Sequence, residues 1–248
     1  MRARRSLALI GLVLLLGLLA ALAQPTPPTD VSVVTSSRRA EASSATVPAY
    51  AGNVTELRIN VSMVTQGWQA FYGTVSGTIV LDDAFNNSVY TWDLTSPEGE
   101  IYATRNNTPL NWTAGNIVCA NLTNVETEES ALNFNLGGGQ DADGINETFT
   151  NISHPSFSVG LQSFAADQCN FTVSTYVNDS TPGGSVPRSF NETLLYSASE
   201  RAVVYTALVT DDNYGFNGSR WDFQMLVGED GHSGDTASTP YYFYVELS

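Results

Sequence analysis

Lysine is absent from the 248 residues, and all positive side-chain charge comes from ten arginines set against 25 acidic residues. Arg2, Arg4 and Arg5 precede the first apolar run, so the rest of the chain holds seven arginines against 25 acids, a net charge of −18. A surface of that sign excludes binding to nucleic acid or anionic membranes through a basic patch. Histidine is limited to His154 and His232, which lie far apart and outside HExxH or a comparable metal-ligand spacing. A G-x-S-x-G nucleophile elbow is also missing, because Gly73-Thr-Val-Ser-Gly77 places its serine one position late. The acidic neighbours Asp82-Asp83 and Asp211-Asp212 fall at strand ends, where successive side chains point apart, so they read as solvated turns rather than acid/base pairs. These absences lead us to expect a non-enzymatic protein, with a glycan-active hydrolase as the weaker alternative.

Long apolar runs are equally scarce. Met1 to Arg5 is basic, Leu7 to Leu22 is almost wholly apolar, and Ala21-Leu22-Ala23 supplies small residues at both positions a signal peptidase reads. Residues 1–23 are therefore expected to be a signal peptide cut before Gln24, which sends the protein to the cell exterior or surface. A second apolar stretch of membrane-spanning length does not follow. Cysteine occurs twice, and a metal site needs more ligands than two, so in an exported chain Cys119 and Cys169 are expected to form one disulfide. It would close a loop of about 50 residues, worth about 4 kcal/mol in the chain-entropy model.

Asparagine, by contrast, is abundant, and its placement is not random. Twelve of the 19 asparagines lie in N-x-[ST] sequons: Asn53, Asn60, Asn86, Asn106, Asn111, Asn121, Asn146, Asn151, Asn170, Asn178, Asn191 and Asn217. With Ser and Thr near a fifth of the chain, chance would give roughly four, so the excess points to a glycoprotein.

Residues 24–48 are rich in Pro, Thr, Ser and Ala and read as a linker or stalk. Within it, Asp30-Val-Ser-Val-Val-Thr35 alternates like a short strand. From Val54 onward the pattern is β: Leu57, Ile59, Val61 and Met63 alternate with Glu56, Arg58, Asn60 and Ser62, which predicts a half-buried strand. Further strands are expected over 68–81, 89–94, 100–104, 116–122, 156–161, 171–177, 192–197, 202–209, 221–227 and 240–247. Almost no window keeps a helical period. Many short strands separated by turn residues such as Ser96-Pro97-Glu98-Gly99 predict an all-β fold, an elaborated Ig-like or related β-sandwich occupying residues 49–248 as one domain.

Two ligand classes have partial signals. Gln140-Asp-Ala-Asp-Gly144 contains a D-x-D-G core, so Asp141, Asp143 and Glu147 are candidate ligands of a structural Ca²⁺. Gly139 and Thr150 stand where an EF-hand places its first Asp and bidentate Glu, so no full calcium loop is expected, and an acidic turn is the alternative; apart from this ion no cofactor is expected. Trp68, Phe71, Tyr72, Trp92, Trp112, Trp221 and the run Tyr241 to Tyr244 could stack sugars, making a carbohydrate-binding module the alternative function, although aromatics at strand spacing are more often core or cross-strand pairs.

The strings Gly67-Trp-Gln-Ala-Phe-Tyr-Gly-Thr-Val-Ser-Gly-Thr-Ile-Val-Leu-Asp-Asp83, His154-Pro-Ser-Phe-Ser-Val-Gly160, Trp221-Asp-Phe-Gln-Met-Leu-Val227 and Tyr241-Tyr-Phe-Tyr244 resemble an uncharacterised group of archaeal secreted, cell-surface β-proteins. The resemblance implies an archaeal envelope and carries no activity. Signal, sequons, disulfide and the missing catalytic constellation converge on a secreted or surface-attached structural or adhesive glycoprotein, associated with an envelope, filament or surface layer. Its expected partners are itself or other envelope proteins and glycans, and not nucleic acid.

Overall fold

The computed structural model describes residues 24–40, 46–61, 63–134, 142–178, 190–230 and 237–247. The expected signal peptide, Asp141 and His232 lie outside them. Along the chain run β1 (Trp68–Gly73), β2 (Thr78–Asp82), β3 (Ser88–Asp93), β4 (Glu98–Thr104), β5 (Ile117–Cys119), α1 (Leu122–Ala131) and α2 (Ile145–Thr148). They are followed by β6 (Phe157–Val159), β7 (Gln162–Phe164), β8 (Thr172–Ser174), β9 (Asn191–Ser197), β10 (Ala202–Thr210), β11 (Asn213–Tyr214), β12 (Arg220–Trp221), β13 (Phe223–Gly228) and β14 (Tyr242–Leu247). The protein is mostly β, with several sheets, as the strand patterning predicts.

The central sheet has the order β14-β4-β10-β9-β5, with β8 also paired to β9, and every pairing is antiparallel. Its middle strand, β10, is apolar almost throughout, as suits a strand covered on both faces. Side chains alternate across it. Val203, Tyr205, Ala207 and Val209 enter one core with Met225 and Val227 of β13 and with Val125, Leu132, Phe134, Ile145 and Phe149 around the helices. Val204 and Leu208 enter a second core with Tyr102, Leu110, Trp112, Phe157, Val159 and Phe164. The β1–β13 ribbon and the helices thus cover one face, and the β6–β7 hairpin with the 105–116 connection covers the other. Glu192 of β9 links the layers, its carboxylate accepting the Leu226 N–H of β13 at 2.7 Å.

Helix α1 has no apolar stripe to announce it. Apart from Val125, its buried residues are Glu128 and Glu129, and both carboxylates are satisfied: Glu128 takes a bidentate Arg105 at 2.8 and 2.7 Å, and Glu129 accepts the Asn146 N–H at 2.7 Å. Its N-terminus is held by a reciprocal cap in which Asn121 Oδ1 accepts the Asn124 N–H and Asn124 Oδ1 accepts the Asn121 N–H, both at 3.0 Å.

Two strand expectations need correction. The run 68–81 is two strands, because the chain turns between Gly73 and Gly77; a Cβ on Gly77 would stand 3.1 Å from Leu247 and 3.2 Å from Leu94, so only glycine fits without displacement. Residues 54–61 join no sheet, and Leu57, Ile59, Val61 and Met63 are exposed rather than half-buried. A two-residue period specifies a strand only when a partner edge is present, and none of the described strands offers one here. Within the 24–48 segment, Thr26 bridges to Val245 on the outer edge of β14, whereas Val31, Val33 and Val34 are exposed and form no strand.

Candidate functional surface

The disulfide joins Cys119 of β5 to Cys169 in the connection before β8, with Cα atoms 5.2 Å apart. It fastens the second core: Cys169 is fully buried, and its N–H donates to His154 Nε2 at 2.9 Å. With Nε2 accepting, Nδ1 carries the proton and donates to the Pro155 carbonyl at 2.7 Å. The His154 backbone N–H donates to Asp167 Oδ1 at 3.0 Å, so the imidazole is a buried spacer under the disulfide rather than a reactive group.

All twelve sequon asparagines are among the described residues, and none is buried. Asn53, Asn60, Asn86, Asn111, Asn121, Asn170, Asn178 and Asn217 are exposed, while Asn106, Asn146, Asn151 and Asn191 are half-buried. Several also shape the chain. Oδ1 of Asn106, Asn111, Asn151 and Asn217 accepts the N–H of its own sequon's hydroxyl residue, at 3.3, 3.1, 3.0 and 3.0 Å, forming Asx turns. Asn86 and Asn178 occupy left-handed backbone at φ 64° and 48°, which asparagine tolerates better than most residues. These roles use Oδ1 or the backbone and leave Nδ2, the atom a glycan needs, as a separate matter. At Asn106 that atom is buried without a partner, so the folded chain cannot carry a glycan there.

Of the calcium candidates, Asp143 and Glu147 are described, and Asp141 lies outside the described residues. Asp143 accepts the Thr65 hydroxyl, and its carbonyl accepts the Trp68 indole N–H, so it ties the entry of β1 to α2. Glu147 lies within α2. Among the described residues, no three His, Cys, Asp or Glu side chains cluster with metal-binding geometry.

The aromatic residues are dispersed. Trp112 is buried between Tyr102 and Tyr244; Trp68 packs on Phe134 and Phe149, and Phe71 on Phe243. Tyr241 donates its hydroxyl to the Gly228 carbonyl at 2.7 Å. Tyr72 meets Phe216 and Trp221 edge-on, at interplanar angles of 70° and 66°, so these rings do not form a flat row. Trp92 lies beside Tyr90 on the exposed β2–β3 ribbon, ring centroids 4.7 Å apart.

Paired carboxylates do occur, at a place the sequence did not indicate. Glu100 of β4 and Glu246 of β14 are directly opposite in the ladder. The β6–β7 hairpin caps them: Ser158 N–H donates to Glu100 at 3.4 Å, Gly160 N–H donates to Glu246 at 2.8 Å, and the Tyr102 hydroxyl donates to Glu246 at 3.3 Å. Burial, reinforced by the Glu246 charge and opposed by the Ser158 N–H, pushes the Glu100 carboxyl up to about 8. Glu246 is also raised by burial. At neutral pH the pair therefore keeps a proton, which relieves repulsion beneath the hairpin. Glu192, fully buried with one oxygen unpartnered, is likewise pushed well up by burial. Register alone created the Glu100–Glu246 pair. The doublets sit at a strand end and in a turn, as expected: Asp82 closes β2, Asp211-Asp212 lie in the turn after β10, and Asp83 accepts the Phe85 and Asn87 N–H groups at 2.8 and 2.9 Å.

An open recess is lined by Arg105, Asn106, Glu128, Glu200 and Arg201. Its Arg105 fork is already engaged by Glu128.

No family model, curated protein or solved structure matches this chain. Among the described residues, no helix is long and apolar enough to cross a membrane. The disulfide fits an oxidising compartment.

Proposed function

We propose that this protein is a non-enzymatic, secreted or surface-attached glycoprotein that serves as a structural or adhesive component of a cell envelope, on a β-sandwich-type body. The observation that carries the proposal is the distribution of the sequons, twelve in number with none buried and eight exposed, on a body closed by a disulfide. Exposure is what an acceptor asparagine requires, and twelve sequons where chance gives roughly four is an excess that composition alone does not supply. The sandwich element is supported by the β1–β13 ribbon packed over the central sheet. The resemblance to archaeal surface β-proteins rests on the quoted strings alone and adds only a habitat.

Peptide mapping with glycan mass analysis, on chain recovered from its source cells, tests this. We expect N-linked glycan at most of the eight exposed asparagines and none at Asn106, together with surface labelling of intact cells. Unmodified asparagine at all twelve sites, or retention inside the cell, would overturn it.

A further inference from the structure

Among the described residues, two elements lack partner strands, and each has what the other needs. The β2–β3 ribbon is exposed along its whole length. Its register places Ile79 opposite Trp92 and Leu81 opposite Tyr90, so these four side chains share one face, exposed at 51, 48, 53 and 59 %. A two-stranded ribbon in water is marginal; three strands with an apolar face are the smallest independently stable sheet. The outer edges of β2 and β3 have no described partner strand.

The second element is 54–63. Leu57, Ile59, Val61 and Met63 repeat every two residues and are exposed at 55, 76, 73 and 85 %, yet residues 54–61 belong to no sheet. Both elements therefore hold apolar rows and free main-chain donors and acceptors in water. That is the chemistry of strand addition, in which main-chain hydrogen bonds supply affinity and alternating side chains fix the register.

The fold attaches them at opposite ends of β1. Residues 54–63 enter at the Trp68 end of β1, where Thr65 is tied to Asp143 and the Gly67 carbonyl accepts the Glu229 N–H at 2.8 Å. The β2–β3 ribbon leaves from the other end, where the Val75 N–H donates to Asp222 at 2.6 Å. The two exits lie about 17 Å apart along β1, at about 3.3 Å per residue. An element at one end of a body that fits an element at the other end makes a heterologous contact, which grows into a chain unless the rotation closes a ring.

We propose that copies of this chain join head to tail, residues 54–63 of one copy adding as a third strand to the β2–β3 ribbon of the next. With Leu57, Ile59, Val61 and Met63 on the face of Ile79, Leu81, Tyr90 and Trp92, Arg58 falls on the opposite face, which carries Asp93. The pairing sets Arg58 beside Asp93, with Glu56 next to Arg58 on the same face. It also brings a segment of zero net charge, with Glu56 against Arg58, to a strongly acidic molecule, so strand addition avoids most of the repulsion between bodies. Asn60 lies on the Arg58 side, leaving the apolar row clear of any glycan there. The inference rests on the envelope-component reading above and supplies its partner, a second copy.

The test uses the full chain recovered from the medium or envelope, sized by light scattering and viewed by electron microscopy at low and high salt. Wild type should form linear oligomers. The donor variant Ile59→Asp/Val61→Asp and the acceptor variant Leu81→Asp should each be monomeric with an unchanged melting temperature of the body. Mixed together they should give a dimer that grows no further, since one intact donor meets one intact acceptor. A synthetic peptide of residues 54–63, which leaves the chain unaltered, should shorten wild-type oligomers in proportion to its concentration. Monomeric wild type, assembly unaffected by either variant, a mixture that stays monomeric, or an inert peptide would each overturn the inference. If glycan mapping and surface labelling succeed while wild type stays monomeric, this mode of assembly falls and the extracellular reading stands; if both fail, so does that reading.

Discussion

Replacing Glu100 by Gln should stabilise the protein above neutral pH and leave it nearly unchanged in acid. The carboxyl is pushed from 4.5 to about 8, first by burial, so the native state holds a proton that the unfolded chain releases. For a carboxyl raised in this direction, the stabilisation is fully present below pH 4.5 and is lost as pH rises toward about 8. At about 1.36 kcal/mol per pH unit, the interval corresponds to a ceiling of about 5 kcal/mol, a third or more of the stability of an ordinary domain. Gln keeps the shape and the acceptor for the Ser158 N–H, and its amide can donate to Glu246 across the ladder. Urea unfolding at pH 5, 6.5 and 8 reads the outcome. Wild type should lose several kcal/mol over that range, and Glu100→Gln should lose less and exceed wild type at pH 8. Glu246 and Glu192 are raised in the same direction, so some slope will persist in the variant. Parallel pH profiles for the two proteins would refute the reasoning.

Removing the disulfide as Cys119→Ser/Cys169→Ser should cost about 4 kcal/mol in urea melts, and a loss below about 1 kcal/mol would show that the second core holds without it. His154→Ala leaves the buried Cys169 N–H without an acceptor, with an expected cost of about 1–3 kcal/mol measured the same way. Asn121→Ala should cost about 1 kcal/mol through the lost cap of α1, whereas Thr123→Ala removes the sequon and keeps the cap; equal destabilisation by both would reassign the effect to a glycan. Leu194→Ala, at a fully buried site in the first core, should cost about 2–5 kcal/mol, read as a lowered melting temperature.

Sequence by itself determined the β character, most strands, the cysteine pairing and the solvated turn carboxylates, because each depends on short-range patterning or on a count. Val203 to Val209 reads as a buried strand wherever it is placed, and two cysteines in an oxidising compartment have one pairing. What depends on partners was decided only by tertiary structure. The same two-residue period occurs in 54–61, left in water, and in Phe243, Val245 and Leu247 of β14, packed against the first core, because a strand is completed by a neighbouring edge that its own residues do not encode. Helix α1 escaped notice because its buried side is Glu128 and Glu129, acceptable there only once Arg105 and the Asn146 N–H have arrived from elsewhere. Glu100 and Glu246 are far apart in sequence and harmless as individual surface acids. The β4–β14 register places them face to face, and the β6–β7 hairpin removes the water that would have kept them ordinary carboxylates.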